Sequence, residues 1–347
     1  MHQIRVGVIG TGMMGQRHCR VYSGLRQTQL VGVCDAAPEV GRRVAQQYDV
    51  PFYSSVNELL ENVDAVSLVT PTPSHFALAM RCLAHSVHVL IEKPITATIK
   101  EAEVLTEAAE DSSLVVQVGH IERFNPAYIE LKNVLEDMTV LAINLRRLSP
   151  YAGSNTDVDV VLDLMVHDID LALDLIGQEP TWMSTHGLMA FSGTVDHATV
   201  NLGFESGPLM TLTASRVTEQ KVRSIEATAQ EAYVDSDLLN KSILVHRRTI
   251  GQYVNHNHHG VKYQQESIVE CIHVPIFEPL LLELQHFISC IVEGKPTQVP
   301  ARDGLDALRL AVIIRDSILE RIAKKVPAQN RVLSDIMEPT LVLSEVM

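Results

Sequence analysis

The stretch VGVIGTGMMG, at Val6–Gly15, joins an apolar strand pattern to a helix pattern through three glycines with the spacing G-x-G-x-x-G. In that context the first glycine makes a tight turn, the second lets the main chain approach a pyrophosphate, and the third lets helix pack closely on strand. The phosphates then lie at the positive end of the helix dipole. The stretch therefore predicts a dinucleotide site, and the alternative is a structural turn without a ligand. The residues expected to line the site are Gly10, Thr11, Gly12, Met13, Met14 and Gly15.

An acidic residue, Asp35, ends the next strand pattern 20 residues after Gly15. A carboxylate at this place accepts hydrogen bonds from the adenosine ribose and repels a 2′-phosphate. Two alanines follow it rather than a phosphate-pairing arginine. The sequence therefore favours NAD as the cofactor. Arg42 and Arg43, about one helical turn further on, keep NADP as the alternative.

Short β-branched runs alternate with helix patterns from residue 4 to about residue 120. This rhythm predicts parallel strands joined by right-handed helical crossovers, and near-continuous apolar strands are typical of a sheet buried on both faces. We expect a doubly wound Rossmann sheet. The five runs are IRVGVIG, QLVGVCD, AVSLVT, HVLIEK and LVVQVG.

The rhythm changes after Pro126, which is well placed to open a helix. A strand (TVLAINLRRL), a helix at about 160–176 and long alternating strands at about 182–248 follow, then helices at roughly 276–293 and 302–324. Alternation with hairpin spacing predicts a large, mostly antiparallel open sheet in an α+β domain. We therefore expect an NAD-binding domain at 1–122 and a substrate-binding and oligomerisation domain at 123–347.

The composition is that of a folded chain with an acidic surface. Of 347 residues, 46% are hydrophobic, and 42 acidic against 28 basic residues give a formal charge of -14. Such a chain is not expected to bind nucleic acid or anionic lipid.

Five scattered cysteines without a C-x-x-C pair predict neither a disulfide framework nor a zinc site, and they fit a cytoplasmic location. We expect no membrane segment, because no apolar run approaches about 20 residues. The histidine-rich stretch at 255–260 lacks a supporting acid or cysteine at ligand spacing, so no metal is expected there either.

Three later motifs carry a resemblance to a known family. The strand HVLIEKPITAT ends in Glu92-Lys93-Pro94, the third strand pattern ends in VTPTPSH, and a helix carries VLDLMVHDID. Together they resemble the Gfo/Idh/MocA family of NAD(P)-dependent oxidoreductases over almost the whole chain, with Met165 in place of the family's usual glycine. The resemblance implies that Lys93, Asp163 and His167 are catalytic. It also implies further residues along the dinucleotide, namely Thr70, Pro71, His75, Glu92 and Lys93.

The chemistry of these residues fits alcohol oxidation. Asp163 and His167 are four positions apart, so on a helix they share one face. Oxidising a secondary alcohol requires a base for the hydroxyl proton, and imidazole titrates near neutrality. Lys93 is expected to lose its proton more readily beside a cationic nicotinamide and could hydrogen-bond the reacting oxygen. Whether Lys93 or His167 takes the proton first stays open.

The substrate is indicated by a narrower resemblance. GHIERFNP at 119–126 and the helix at 160–177 are most similar to the family's enzymes that oxidise the 3-hydroxyl of UDP-N-acetylglucosamine for amino-sugar biosynthesis. The implied substrate-binding residues are His120, Arg123, Tyr151, Asn155 and His167, although Arg123 could instead pair with a surface carboxylate. A diphosphate also needs cations. The candidates are Arg146, Arg147, Arg216, Lys221 and Arg223.

Two other functions stay open at this point. The same chemistry could act on a free polyol or monosaccharide such as inositol or glucose. A non-catalytic NAD-sensing regulator is the other alternative, but such a protein is expected to have lost Lys93, Asp163 and His167. Whatever the substrate, an open sheet needs cover, so we expect a homodimer or homotetramer formed through it.

Overall fold

Two β-sheets organise the computed structural model, which describes residues 3–151, 158–248, 255–257, 260–262 and 267–336. The strands of the first sheet are β1 (Ile4–Ile9), β2 (Thr28–Cys34), β3 (Phe52–Tyr53), β4 (Ala65–Leu68), β5 (His88–Glu92) and β6 (Val116–Gly119). They are parallel throughout, in the order β3-β2-β1-β4-β5-β6. The helices of this half are α1 (Met13–Gly24), α2 (Pro38–Tyr48), α3 (Val56–Leu60), α4 (His75–Ala84) and α5 (Ile99–Glu110).

This arrangement confirms the doubly wound Rossmann sheet. The five predicted runs form β1, β2, β4, β5 and β6, and the two-residue β3 is an addition. Strand order reverses between β1 and β4, and the crevice at the carboxyl ends of the strands at such a point is where ligands bind. The glycine loop follows β1 at this crevice.

The second half is built on a mostly antiparallel sheet, as predicted. Its elements, in chain order, are α6 (Pro126–Glu136), β7 (Val140–Leu148), α7 (Val166–Ile176), β8 (Trp182–Leu188), β9 (His197–Gly203), β10 (Leu209–Ser215), β11 (Val222–Ala229), β12 (Ala232–Asp237), β13 (Ser242–Arg248), β14 (Asn255–Asn257), β15 (Gly260–Lys262), β16 (Ser267–Ile272), α8 (Pro279–Glu293) and α9 (Ala301–Ile336). The eight-stranded sheet has the order β16-β13-β12-β11-β7-β10-β9-β8, and only β7 and β10 pair in parallel among its described strands. β14 and β15 form a separate antiparallel pair.

Alternate residues of the large sheet are buried on one face only. On β9 and β10, for example, Ala198, Val200, Leu202 and Leu212 are buried in one core with α6, α7 and α9. The intervening positions are half-exposed and carry mainly short polar side chains. One face of the sheet is thus left without a helix in the described structure.

The last two helices return to the first sheet. Phe287 of α8 packs in one core with Val6 and Val8 of β1. Leu305 of α9 lies in a core of the Rossmann half, whereas Ile314 lies in the core of the large sheet. One helix therefore joins both halves, and the domain division near residue 122 stays a prediction. No described helix combines the length and the apolarity needed to span a membrane.

Candidate active site

Two of the three glycines are required by the protein itself. Gly10 has φ of +92°, and a Cβ there would lie 2.4 Å from the Val69 oxygen. A Cβ on Gly15 would lie 1.9 Å from the Gly10 oxygen. Both distances are far shorter than a van der Waals contact, so the turn and the helix packing predicted for these positions are present.

Gly12 has no such requirement from the described residues around it. A Cβ built on Gly12 meets no described heavy atom within 4 Å, and its φ of -63° suits any residue. Gly12 also precedes α1, whose first turn has no side-chain cap in the described structure. Open space next to unpaired helix N–H groups fits a pyrophosphate. The adjoining Met13 is 73% exposed.

Asp35 fixes the loop from the end of β2. Its Oδ2 accepts hydrogen bonds from Thr11 N and Thr11 Oγ1, both at 2.6 Å, and its Oδ1 accepts one from Ala37 N at 2.8 Å. Burial alone would raise the pKa of Asp35, but these hydrogen bonds outweigh it and lower the pKa. The residue is therefore an ionised acceptor with lone pairs left for a ribose. Arg42, one of the two arginines that keep NADP as the alternative, lies over the Phe52 ring at 5.6 Å.

The motif after β4 places His75 inside the protein. Its Nε2 lies 2.8 Å from Thr70 O, and its Nδ1 lies 2.9 Å from Pro94 O. The ring is 1% exposed. His75 thus ties the segment after β4, which includes Pro71, to the segment after β5, and this placement favours a positioning role over direct contact with the dinucleotide.

Lys93 meets the second half of the chain directly. Its ammonium donates a hydrogen bond to the main-chain oxygen of Asp163 at 2.9 Å and lies 3.7 Å from the Asp163 carboxylate. Burial lowers the pKa of Lys93, although Asp163 and Glu92 act in the opposite direction. The amine is therefore closer to giving up a proton than a surface lysine is.

Glu92 is held by a histidine that the sequence analysis missed. Nε2 of His18, on α1, lies 3.3 Å from Glu92 Oε1. Burial would raise the pKa of Glu92, but the hydrogen bond and charge of His18, with the charge of Lys93, lower it. Glu92 thus contacts His18 on α1, and its charge raises the pKa of Lys93. The one signal for His18 in the sequence is its place one helical turn after Gly15, on the side of α1 that faces the sheet.

The helix that carries Asp163 and His167 does not begin regularly. Val161–Met165 forms a π-helical turn that leads into α7, whereas the sequence predicted one regular helix over about 160–176. Asp159 Oδ1 accepts the N–H groups of Val161 and Leu162 at 2.9 and 3.0 Å, which fixes the start of the turn. π-Turns inside helices are frequent at functional sites. The turn brings the main-chain oxygen of Asp163 to Lys93 as well as its carboxylate.

His167 is poised as a neutral base. Its Nδ1 is buried and has no hydrogen-bond partner among the described residues. Burial, followed by the charges of Lys93 and Arg147, lowers the pKa of His167 well below 6.5. The imidazole is therefore uncharged near neutrality and free to accept a proton.

Arg123 and His120 lie deeper than the sequence predicted. Arg123 is 9% exposed and forms ion pairs with Asp170, Asp174 and Asp303 at 2.7, 2.9 and 3.2 Å. This placement favours the alternative of carboxylate pairing, inside the protein rather than at its surface, over contact with substrate. His120 is 1% exposed and lies 3.8 Å from Asp170.

The remaining candidate substrate-binding residues differ in burial and in the face of the large sheet on which they lie. Arg147 is buried and pairs with Asp168 and Glu122 at 2.7 and 2.8 Å, whereas Arg146 points to the other face, 3.8 Å from Glu226. Lys221 is exposed. Arg216 and Arg223 lie near the end of β7. Tyr151 is 41% exposed, and its ring lies in a tilted contact with Phe191, with centroids 5.1 Å apart. Asn155 lies outside the described residues, and the stretch 255–260 is described only in part.

Comparison with known proteins identifies the class. Residues 4–120 match the family model for the oxidoreductase family with an NAD-binding Rossmann fold, and residues 147–234 match the GFO/IDH/MocA C-terminal domain. The fold and the site therefore define an NAD-dependent oxidoreductase, as predicted from the glycine loop and Asp35. The chain belongs to the Gfo/Idh/MocA family.

Individual relatives are similar along nearly their full lengths. The UDP-N-acetylglucosamine 3-dehydrogenase of Acidithiobacillus ferrooxidans is 33% identical over 92% of this chain and 98% of its own. A solved structure of that enzyme superposes with a TM-score of 0.83, covering 92% of this chain and 98% of that chain. The scyllo-inositol 2-dehydrogenase (NAD(+)) of Bacillus subtilis is 26% identical over 91% of this chain and 94% of its own.

Proposed function

We propose that the protein oxidises the 3-hydroxyl of UDP-N-acetylglucosamine to the 3-keto sugar nucleotide, with NAD as the oxidant. The oxidation is supported by the contact of Lys93, which follows β5, with Asp163, and by the lowered pKa of the buried His167. The choice of sugar nucleotide is supported by the similarity to the Acidithiobacillus enzyme over nearly the whole chain. An aminotransferase reaction that converts the ketone to a 3-amino sugar would consume the product.

The cofactor site would consist of residues from three loops after parallel strands. Gly10–Gly15 would take the pyrophosphate at the start of α1, and Asp35 the adenosine ribose. Thr70 and Pro71 would line the dinucleotide after β4, and Lys93 would face its nicotinamide end. When bound, NAD supplies the acceptor for the hydride that leaves the substrate carbon.

The side chains of the site would take up the hydroxyl proton of the substrate. Oxidation of a secondary alcohol releases a hydride from carbon and a proton from oxygen, giving ketone, reduced NAD and a proton. His167, neutral and with a lowered pKa, accepts the hydroxyl proton or receives it through Lys93. Lys93 hydrogen-bonds the reacting oxygen, and Asp163 fixes the ammonium in place.

A free polyol is the second candidate substrate. The similarity to a scyllo-inositol 2-dehydrogenase over 91% of the chain favours this candidate, because inositol is a polyol without a phosphate group. The two candidates share every catalytic residue proposed above. They differ in whether the site must also hold anionic groups.

A substrate panel tests the proposal. The protein is incubated with NAD and either UDP-N-acetylglucosamine, N-acetylglucosamine, myo-inositol or glucose, and absorbance of reduced NAD is followed. Addition of a keto acid checks whether tightly bound cofactor is recycled and masks net reduction. Turnover confined to UDP-N-acetylglucosamine supports the proposal, and turnover of inositol or glucose alone supports the second candidate. No turnover on any nucleotide sugar would refute the proposed substrate.

We also propose a homodimer or homotetramer formed through the helix-free face of the large sheet. Tyr233 and Leu209 are exposed on that face, at 39% and 50%. An uncovered eight-stranded face is a surface that a second copy can cover. Sedimentation showing a stable monomer at micromolar concentration would contradict this assembly.

A cytoplasmic location fits the five cysteines, none of which is disulfide-bonded.

A further inference from the structure

Arg223 is a buried cation that has no carboxylate partner among the described residues. Its side chain is 9% exposed, and in the described part of the chain it makes no ion pair. Its Nη1 donates to Leu148 O at 2.6 Å and to Val222 O at 2.7 Å, and its Nη2 donates to Ser149 Oγ at 3.0 Å. Arg147, its direct partner across β7 and β11, has by contrast two carboxylates of its own.

The surroundings leave Arg223 short of negative charge. Burial and the neighbouring Arg147 lower the pKa of Arg223 to about 10, although Asp168, Glu122 and Asp163 act in the opposite direction. Two of these carboxylates are already bound to Arg147. A buried guanidinium is stabilised most by a hydrogen-bonded anion, and the chain supplies none here among its described residues.

The Arg223 guanidinium lies at the end of the large sheet that carries a residue in contact with Asp163. At the end of β7, Leu148 pairs with Ser215 on one side and with Val222 on the other. The residue after Ser215 is Arg216, whose Nη2 lies 3.9 Å from the Asp163 carboxylate. Arg223, the second residue of β11, therefore lies beside the carboxyl end of β7, at the same end of the sheet as Arg216, which reaches Asp163. Its charge is also among those that act on the His167 ring.

We propose that Arg223, with the hydroxyl of Ser149, forms a subsite for an oxyanion that the substrate itself carries. The inference rests on the proposed function and narrows it, because the substrate class becomes a sugar with an acidic substituent close to the carbon that is oxidised. That substituent is a phosphate on a sugar nucleotide or a carboxylate on a uronic acid. A neutral polyol would leave the guanidinium without a counter-ion from the described residues.

The test compares wild type with Arg223→Met and Arg223→Lys on four sugars. These are UDP-N-acetylglucosamine, N-acetylglucosamine 1-phosphate, the UDP-linked N-acetylglucosaminuronic acid, and neutral N-acetylglucosamine. Arg302→Met is the matched control, because Arg302 is an exposed arginine of α9 that pairs with Glu110. Melting temperature and the Kd for NAD are measured for every variant to show that fold and cofactor site are intact.

We expect Arg223→Met to lower kcat/KM for the anionic sugars by on the order of 10- to 100-fold. This fold-change corresponds to the loss of one hydrogen bond to a charged group. The rate with neutral sugar and the Kd for NAD should stay unchanged, and Arg223→Lys should lose less. A loss only with the uronic acid identifies a carboxylate, and a loss with all phosphate-bearing sugars identifies a phosphate. Wild-type kcat/KM in Arg223→Met, or an equal loss with neutral and anionic sugars, would overturn the subsite.

A binding measurement separates this proposal from the proposed function. Calorimetric titration of the NAD-loaded protein with UDP-N-acetylglucosamine and with inorganic phosphate needs no turnover. Weaker binding of both in Arg223→Met, with no turnover by wild type, would refute the reaction and keep the anion subsite. Equal binding by wild type and Arg223→Met would refute the subsite while turnover still decides the reaction.

Discussion

The ammonium of Lys93 lies 2.9 Å from the main-chain oxygen of Asp163, although Lys93 follows a strand of the Rossmann sheet and Asp163 precedes the helix on the second sheet. The contact places the cationic group of one half against the π-turn of the other. The proposed catalytic site therefore exists only where the two halves meet.

Replacing Lys93 by methionine should abolish most turnover and keep NAD binding. We expect kcat to fall by about 10²–10⁴-fold, because a group that hydrogen-bonds or deprotonates the reacting oxygen contributes about that much. Asp163→Asn should lose less, since Lys93 keeps its bond to the main-chain oxygen. Rates of NAD reduction and the Kd for NAD check both variants. Full activity in Lys93→Met would remove lysine from the mechanism, and full activity in both variants would remove the contact between Lys93 and Asp163 from it.

The pH dependence of kcat/KM should distinguish the two candidate bases. Because the pKa of His167 is lowered, its neutral form persists as pH falls below 6.5, so an imidazole base predicts a flat profile from pH 6.5 to 8. The pKa of Lys93 is lowered from 10.5, so a lysine base predicts a rate that rises with pH and levels off below 10.5. His167→Asn should remove only the part of the pH profile that arises from titration of His167. An acid limb centred at or above pH 6.5 would contradict a buried neutral His167.

Alanine at the three loop glycines should separate folding from cofactor binding. Gly10→Ala and Gly15→Ala place a Cβ 2.4 Å and 1.9 Å from carbonyl oxygens, so both should destabilise the protein, by about 1–3 kcal/mol or more. Gly12→Ala meets no described atom, so its melting temperature should match wild type while its Kd for NAD rises. Thermal melts without cofactor and NAD titrations check the three variants. An unstable Gly12→Ala, or one with unchanged affinity, would contradict the assignment of that space to the pyrophosphate.

Replacing Glu283 by glutamine should change how stability depends on pH. Glu283 is 0% exposed, and burial, with the charges of Glu92 and Asp170, raises its pKa well above 4.5. Above pH 4.5 the unfolded chain gives up this proton while the folded protein retains it, so this residue lowers stability as pH rises towards the folded pKa. The neutral variant lacks that loss.

The melting temperature of Glu283→Gln should therefore rise relative to that of wild type as the pH increases from 5 to 8. Glu110→Gln is the control, because Glu110 is an exposed carboxylate in an ion pair with Arg302. Parallel melting curves for wild type and Glu283→Gln across this range would show that Glu283 is not held as the neutral acid.

The features predicted correctly are those that a local pattern determines. A glycine triplet between strand and helix specifies a turn whatever follows, and alternating runs of apolar residues specify a parallel sheet. β3 was missed because two residues, Phe52 and Tyr53, are too short a run to show a period. The π-turn at Val161–Met165 was missed because one extra residue per turn barely changes an apolar periodicity.

The pairings of charged residues could not be predicted, because they depend on which elements meet. His18 reaches Glu92 across 74 positions of chain, and Arg123 finds Asp303 only because α9 returns to the first half. For the same reason, five arginine and lysine candidates looked equivalent in the sequence. Strand register then placed Arg146 and Arg147 on opposite faces and left Arg223 as the buried one without an ion pair in the described structure.

Helix α9 supplies apolar side chains to both cores, with Leu305 in one and Ile314 in the other. Melting either half would pull this shared helix away from its neighbour and expose the neighbour's interior to water. The chain should accordingly lose its structure in a single calorimetric transition, and a fragment cut near residue 122 should be unable to fold by itself.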